Sequence, residues 1–392
     1  MIYLDNASTT QIAPGVLDAM MPYLKEQYGN PGTIYELGRK ALNAVSVARK
    51  QVADFIGAKP EQIIFTSGGT EANNLAVYGV MYNNFDDRIV VSRVEHDSVL
   101  RAVDYHANPI FINVDNNGVV STKDVERVLN KYQDSARRNK IRMVSVMYVN
   151  NETGSVNPIK EIATLCKRYG ALFHTDCVQA AGCQPIDVKK IGCDFLSISS
   201  HKIHGVKGVG ALFVRDKSLL PMHLIYGGAS QEFGLRGGTE NVAGIVGFGK
   251  ACELAMYGRE EYEKTVLFYK KSFFDILIKE LKKDNLDEMI KVNGETIQSG
   301  SGKTLNLLIR GVDAETLVLM MDSQGVCISA GAACKSHESK PSHVLLAMGL
   351  TPGQARSSIR ISFSDFNTYD EIEKAACILA NCIKNLRGQY DG

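Results

Sequence analysis

The sequence predicts an α/β fold built on a largely parallel sheet, and three observations predict it. Short β-rich runs alternate with helical patterns over much of the chain. No internal repeat or low-complexity segment interrupts the alternation. Five of the apolar runs end in polar, chemistry-bearing residues, as strands do at the sheet edge where an open α/β fold binds its ligand.

The elements follow in chain order. Ile63-Ile64-Phe65-Thr66 reads as a strand that runs into Ser67-Gly68-Gly69-Thr70-Glu71, a glycine-rich turn before a helix. Arg88 to Ser92 is a strand followed by Glu95-His96, and Met143 to Val149 is one followed by Asn150-Asn151-Glu152. The helix Glu161 to Tyr169 carries Ile162, Leu165, Cys166 and Tyr169 on one apolar face. Ala171-Leu172-Phe173 is the next strand and leads to His174-Thr175-Asp176, and Phe195 to Ile198 leads to Ser199-Ser200-His201-Lys202. One polar strand end means little, but five at one sheet edge predict a single large site.

Beyond about residue 255 the pattern changes to a long charged helix, Tyr262 to Lys283, and a short strand near Thr304 to Ile309. A last helix opens on a Thr368 and Glu371 capping box, with Ile372, Ala375, Ala376, Leu379 and Ile383 as its apolar side. The change places a domain boundary near residue 258. Spacing leaves the first dozen residues open to either domain.

With 392 residues, 44 Lys+Arg against 43 Asp+Glu, and 45% hydrophobic residues, the chain is long enough to bury a core without disulfide staples. A net charge of +1 with no long basic run argues against direct DNA binding or an anionic membrane as partner. No apolar stretch reaches the roughly 18 residues of a membrane span, and the start Met1-Ile2-Tyr3-Leu4-Asp5 carries no targeting signal, so a cytoplasmic location is expected. The nine cysteines contain no C-x-x-C pair, which leaves zinc, iron–sulfur and disulfide frameworks without their spacing, and no metal is expected.

Four constellations carry chemistry. The turn Ser67-Gly68-Gly69-Thr70 presents free helix N–H groups to a phosphate, or is a plain turn capped by Thr70. It lacks the P-loop lysine and the G-x-G-x-x-G spacing, which disfavours ATP and NAD. Lys202, between an apolar strand and a turn, would have its pKa lowered by burial, as a Schiff-base amine requires; the alternative is an exposed loop lysine. Asp176, at the end of an apolar strand, needs a cationic or N–H partner; a pyridinium nitrogen would serve, and an internal ion pair with an arginine is the alternative. Cys334 follows a small-residue stretch from Ser329 and opens a polar loop closed by Pro341, where Lys335 and His337 favour its thiolate; the alternative is an inert surface thiol. The other eight cysteines sit in apolar patterns and are expected in the core.

Together these residues resemble the PLP-dependent cysteine desulfurases of the nitrogen-fixation and iron–sulfur-cluster type. The likeness covers nearly the whole chain: Tyr3 to Thr10, the Gly-Gly-Thr-Glu turn, Val94-Glu95-His96, Asn150-Asn151-Glu152, His174 to Gln179, Ser199 to Lys202, Arg236 to Asn241, the Cys334 loop and Arg360 occur in family order. Tyr35, Cys177, Val206 and Ala332 depart from the usual pattern.

The resemblance implies the PLP fold type I: a large domain, 15–258, with a mostly parallel seven-stranded sheet flanked by helices, and a smaller α+β domain formed by 1–14 and 259–392. It implies pyridoxal 5'-phosphate as cofactor, with Lys202 as the Schiff-base lysine, Asp176 on the pyridine nitrogen, His96 stacked on the ring and Gln179 at the ring hydroxyl. Gly69, Thr70, Ser199 and His201 would hold the phosphate, with Thr239 reaching over from the second subunit of a homodimer. Asn151 and Arg360 would hold the carboxylate of L-cysteine, and Cys334 would take its sulfur as a persulfide for a protein acceptor, a scaffold or thiolation enzyme. An aminotransferase or a C–S or C–Se lyase on the same fold is the alternative within enzymes, and a sulfur-relay partner with a decayed site is the alternative outside them.

Overall fold

The computed structural model describes residues 1–82, 84, 86–106, 108–133, 140–220, 231–330 and 340–388. In chain order β1 (Ile2–Tyr3) precedes α1 (Pro14–Lys25) and α2 (Glu36–Ile56). Strands and helices then alternate: β2 (Ile63–Thr66), α3 (Gly69–Met81), β3 (Arg88–Ser92), α4 (Asp97–His106), β4 (Asn108–Ile112), α5 (Thr122–Lys131), β5 (Ile141–Ser145), α6 (Ile159–Tyr169), β6 (Leu172–Asp176), α7 (Val188–Ile191), β7 (Phe195–Ser199) and β8 (Gly210–Val214). After the long α8 (Val242–Lys282) come β9 (Ile290–Asn293), β10 (Thr304–Ile309), α9 (Ala314–Ser323), β11 (Val326–Cys327), α10 (His343–Ala347), α11 (Pro352–Arg356), β12 (Ser358–Ser362) and α12 (Tyr369–Gly388).

The seven-stranded sheet has the order β2-β8-β7-β6-β5-β3-β4. β4, β3, β5, β6 and β7 pair in parallel, and β8 runs antiparallel to both of its neighbours. β2 therefore points the same way as the parallel set, and the carboxyl ends of all strands except β8 lie along one edge. Side chains alternate between the two faces with the period of a strand. Ile64, Ile89, Val91, Phe195 and Leu212 pack under α3 and α4, whereas Ile63, Phe65, Val90, Leu196 and Phe213 pack on the face covered by α2, α6 and the first half of α8. Burial on both faces accounts for the nearly continuous apolar character of these strands.

A second core contains Leu305, Leu307, Ile359 and Ile361 from the antiparallel sheet β12-β10-β9, closed by α9, α12 and the second half of α8. Ile2 and Leu4 belong to it, because β1 pairs with β11. Thr368 and Glu371 exchange the backbone hydrogen bonds of a capping box at the start of α12.

Several sequence expectations are corrected. The strand expected to end at Phe173 continues to Asp176, since parallel pairing to β5 and β7 satisfies its backbone and the hydroxyls of Ser145 and Ser197 satisfy His174 inside the sheet. The strand expected over Met143 to Val149 spans Ile141–Ser145. The expected Tyr262 to Lys283 helix is the second half of a 41-residue helix. Glycines hid its first half by lowering helix propensity. They serve close packing instead: a Cβ on Gly247 would lie 2.5 Å from Met20 Sδ, and one on Gly249 would lie 2.7 Å from the Ala48 Cα. Of the cysteines expected in the core, Cys327 and Cys377 are part-exposed.

Candidate active site

The turn after β2 delivers the start of α3 to the sheet edge. Gly68, at φ 154°, is its N-cap, and no side chain caps the first turn, so Thr70 is not the cap. Ser67 N–H donates to Glu71 Oε2 (2.6 Å), and Arg236 Nε donates to Glu71 Oε1 (2.9 Å). Burial alone would raise the Glu71 pKa, but these partners outweigh it and hold the carboxyl below its ordinary range. A Cβ on Gly69 would lie 2.7 Å from Val178 Cγ2, so glycine lets the segment after β6 approach the helix start. Uncapped N–H groups at this end favour an anion.

Asp176, at the end of β6, is buried and belongs to no ion pair among the described residues. Val178 N–H donates to its Oδ1 (2.8 Å) and Asn73 Nδ2 to its Oδ2 (2.7 Å). The same Asn73 amide donates to Ser98 Oγ (2.9 Å), which lies 2.8 Å from His96 Nδ1. Ser98 N–H also donates to that nitrogen (3.1 Å), leaving Nε2 to carry the proton of the neutral ring. Asn73 and Ser98 thus tie His96 to Asp176. Gln179 Nε2 donates to the Ala7 carbonyl (2.8 Å).

Ser199 ends β7, and the next turn brings His201 and Lys202 to the same edge. Lys202 is half-buried, and its Nζ donates to the carbonyls of Ala7 and Ser8, both at 2.6 Å. Desolvation, reinforced by Lys303 and Arg360 against Asp5 and Asp176, brings its pKa down to about 7. Burial likewise lowers the His201 pKa to about 4, helped by Lys202.

From the second core β12 contributes Arg360, 4% exposed. Its Nη1 donates to the Asn151 carbonyl (3.0 Å) and its Nη2 to Asp5 Oδ1 (2.8 Å). Arg360 Nε and Asn151 Oδ1 are buried without a hydrogen-bond partner among the described residues. Ser342 Oγ donates to Glu152 Oε2 (2.5 Å), and His343 Nε2 lies 2.9 Å from the Glu95 carbonyl oxygen. Cys334, Lys335 and His337 lie outside the described residues. Thr239 is exposed, three residues beyond the Arg236 that holds Glu71.

The description "Aminotransferase class-V" matches residues 2–375. The chain belongs to this family. It is 38% identical to the cysteine desulfurase IscS of Methanosarcina thermophila over 392 residues, covering 98% of this chain and 93% of the relative. The solved structure of a NifS-like protein from Rickettsia africae superposes with a TM-score of 0.83 at 33% identity, with 99% of each chain covered. A structure of SspA in complex with cysteine superposes at 0.76 with 30% identity, covering 93% of this chain and 99% of that one. The chain is thus a pyridoxal-phosphate-dependent enzyme of the cysteine desulfurase group.

The residues of this class V chain fit that cofactor. The uncapped α3 start suits its phosphate, and the buried Asp176 carboxylate, unpaired with any arginine among the described residues, suits a protonated ring nitrogen. The orphaned Arg360 Nε suits a substrate carboxylate. Sequence reasoning missed Asp5, Asn73, Ser98 and Lys303, because each acts through a neighbour that only the fold supplies. The Asn beside Ala72 in the first turns of α3 was the one available signal, since a buried helical Asn needs a partner. Among the described residues no group of three or more His, Cys, Asp or Glu could hold a metal ion, and no helix is long and apolar enough to cross a membrane.

Proposed function

We propose that this enzyme takes sulfur from L-cysteine, releasing L-alanine and leaving the sulfur on Cys334 as a persulfide. The observation that carries the reading is the meeting of Asp176, Lys202, the uncapped α3 start and Arg360 at one sheet edge. Lys202 would join the cofactor, Asp176 would pair with its ring nitrogen, His96 would stack on its ring and Gln179 would contact its hydroxyl. Gly69, Thr70, Ser199 and His201 would hold the phosphate. Thr239, exposed here, serves the partner subunit's phosphate.

When bound, pyridoxal phosphate supplies the sink for the electron pair released as the Cα–H bond breaks. The chain's own residues do the rest. Arg360 and Asn151 grip the substrate carboxylate, which fixes the direction of the Cα–H bond. The Lys202 amine, with a pKa near 7, takes and returns protons at neutral pH. The Cys334 thiolate attacks the substrate sulfur: an S–S bond forms, the Cβ–S bond breaks with its electron pair left on carbon, and protonation of that carbon completes alanine.

We divide the chain into 15–258 and 1–14 with 259–392; Ile2 and Leu4 in the second core support this division, while Ala13 packs in the first. A homodimer is supported by exposed Leu17, Leu24, Ile34 and Tyr35 near α1 and α2 and by exposed Leu254 and Tyr257 on α8. The sulfur passes on to a protein acceptor, a scaffold or thiolation enzyme, and the setting is cytoplasmic.

The test is alanine formation from L-cysteine with a reductant present, comparing cofactor-loaded wild type with Cys334→Ala. Activity lost in a variant that keeps its yellow colour supports the reading. Equal alanine from both removes Cys334 from the chemistry and leaves a lyase without a persulfide.

A further inference from the structure

Lys303 is 1% exposed, at the turn before β10. No ion pair joins it to a carboxylate among the described residues. Its Nζ donates to the backbone carbonyl of Lys202 (3.3 Å), and its own carbonyl accepts from Phe363 N–H (2.9 Å), so both ends of the residue are fixed. Burying a cation without a counter-charge costs several kcal/mol. A structural position would be served as well by an apolar or amide side chain, so the cost points to work done by the charge itself.

The work falls on Lys202. An amine beside a second cation is harder to protonate, which is one of the general ways of activating a Schiff-base lysine. The groups around the pair are unequal in sign: Arg360 from β12 joins Lys303 in opposing the Lys202 charge, Asp5 and Asp176 support it, and His201 and His204 sit in the field of the same Lys303 cation. The neighbouring Cys183 thiol is held in its neutral form by burial, though Lys303 pulls the other way, so it adds no negative charge at neutral pH.

We propose that Lys303 is a positioning residue that acts through Lys202, its buried cation on the Lys202 backbone making the Lys202 nitrogen harder to protonate. The proposal rests on the reading that Lys202 carries the cofactor.

The measurement is a pH titration of the visible absorption of the full-length, cofactor-loaded protein, which reports the protonation of the cofactor-linked lysine nitrogen independently of turnover. Lys303→Met removes the charge at similar volume, and Lys303→Gln removes it while keeping a donor for the Lys202 carbonyl. Both are expected to move the midpoint upward by about one pH unit, a tenfold change in proton affinity. Lys303→Arg, which keeps the charge, is expected to stay near the wild-type midpoint. An unchanged midpoint in the neutral variants overturns the proposal. So does a failure of both neutral variants to fold and load cofactor, which would make Lys303 structural. A cofactor that still links to lysine in Lys202→Ala would overturn the underlying reading instead, and is seen separately as a yellow form that persists in that variant.

Discussion

Arg360 Nη2 and Asp5 Oδ1 lie 2.8 Å apart, joining residues 355 positions distant in sequence. The pair is buried on the arginine side, with Arg360 held further by the Asn151 carbonyl, so the direction of the guanidinium is set by the chain's first strand segment and by the turn after β5. Its planar fork is thereby aimed, with Nε left free, before any carboxylate arrives.

Arg360→Lys is expected to lower kcat/KM for L-cysteine by roughly 100-fold, because a lysine cannot keep two contacts and also present a third donor in one plane. Asp5→Ala is expected to cost about tenfold, mostly in KM, since it frees the arginine without removing it. Steady-state alanine formation gives both numbers. A wild-type kcat/KM in Arg360→Lys would remove Arg360 from carboxylate recognition.

Asn73 touches Asp176 and Ser98 through one amide group, so Asn73→Ala breaks both links at once. The expected result is cofactor affinity about tenfold weaker, from the loss of one charge-assisted hydrogen bond in a buried site. Cofactor retention during dialysis, followed by absorbance, measures it. Retention equal to wild type would show that Asp176 and His96 hold their places without the Asn73 bridge.

The Glu95 carboxyl is fully buried, and desolvation pushes its pKa up to about 8, against the lowering effect of Ser92 Oγ–H and Met147 N–H and with a small raise from Asp176. The folded chain therefore binds a proton that the unfolded chain has lost between pH 4.5 and 8, and stability falls as pH rises through that window. His174 acts oppositely: burial lowers its pKa from 6.5 to about 3, so unfolding gains a proton as pH falls through that range and stability rises with pH there. The two slopes oppose each other below pH 6.5, and from about pH 7 upward Lys202, lowered from 10.5 to about 7, opposes the Glu95 slope in turn. Glu95→Gln is expected to remove the Glu95 contribution, so that stability between pH 6.5 and 8 changes relative to wild type by about 1.4 kcal/mol per pH unit for one proton, in denaturant unfolding at a series of pH values. An unchanged slope in the variant would place the ionised carboxylate in the folded protein.

Arg49 grips Glu232 through two hydrogen bonds of 2.6 and 2.8 Å, and Phe65 N–H donates to the same carboxylate at 2.8 Å. Glu232 is also one of the few non-glycine residues at positive φ, 46°. Glu232→Ala leaves a mostly buried guanidinium and a β2 amide without their acceptor. The expected cost is about 3 to 5 kcal/mol, read as a lowered urea midpoint at unchanged m. A loss below about 1 kcal/mol would make the pair a surface-like contact.

The strand ends were legible because an apolar run that stops at Asp, Lys or Glu leaves a charge that burial must account for, as at Asp176 and Lys202. The phosphate turn was legible from its glycines, and Gly69 does prove to be packed too closely for a side chain. What the sequence hid was long-range. β8 follows a glycine-rich turn and looks like loop; its pairing to β2 and β7, seven-stranded sheet in place, is what makes Gly210–Val214 a strand. The roles of Asp5, Asn73 and Lys303 are each defined by a partner more than a hundred residues away.

β1 pairs with β11 while α8 runs unbroken through residue 258. Sequence order and structural modularity therefore do not coincide in this chain. A gene fragment starting at residue 259 would express the second core without the strand and the Leu4 side chain that complete it, and one ending at 258 would cut α8 between the half that lies on α1 and α2 and the half that closes the second core. Neither half is a free-standing unit, and the arginine and lysine that meet at the sheet edge are brought together only when both ends of the polypeptide have been made.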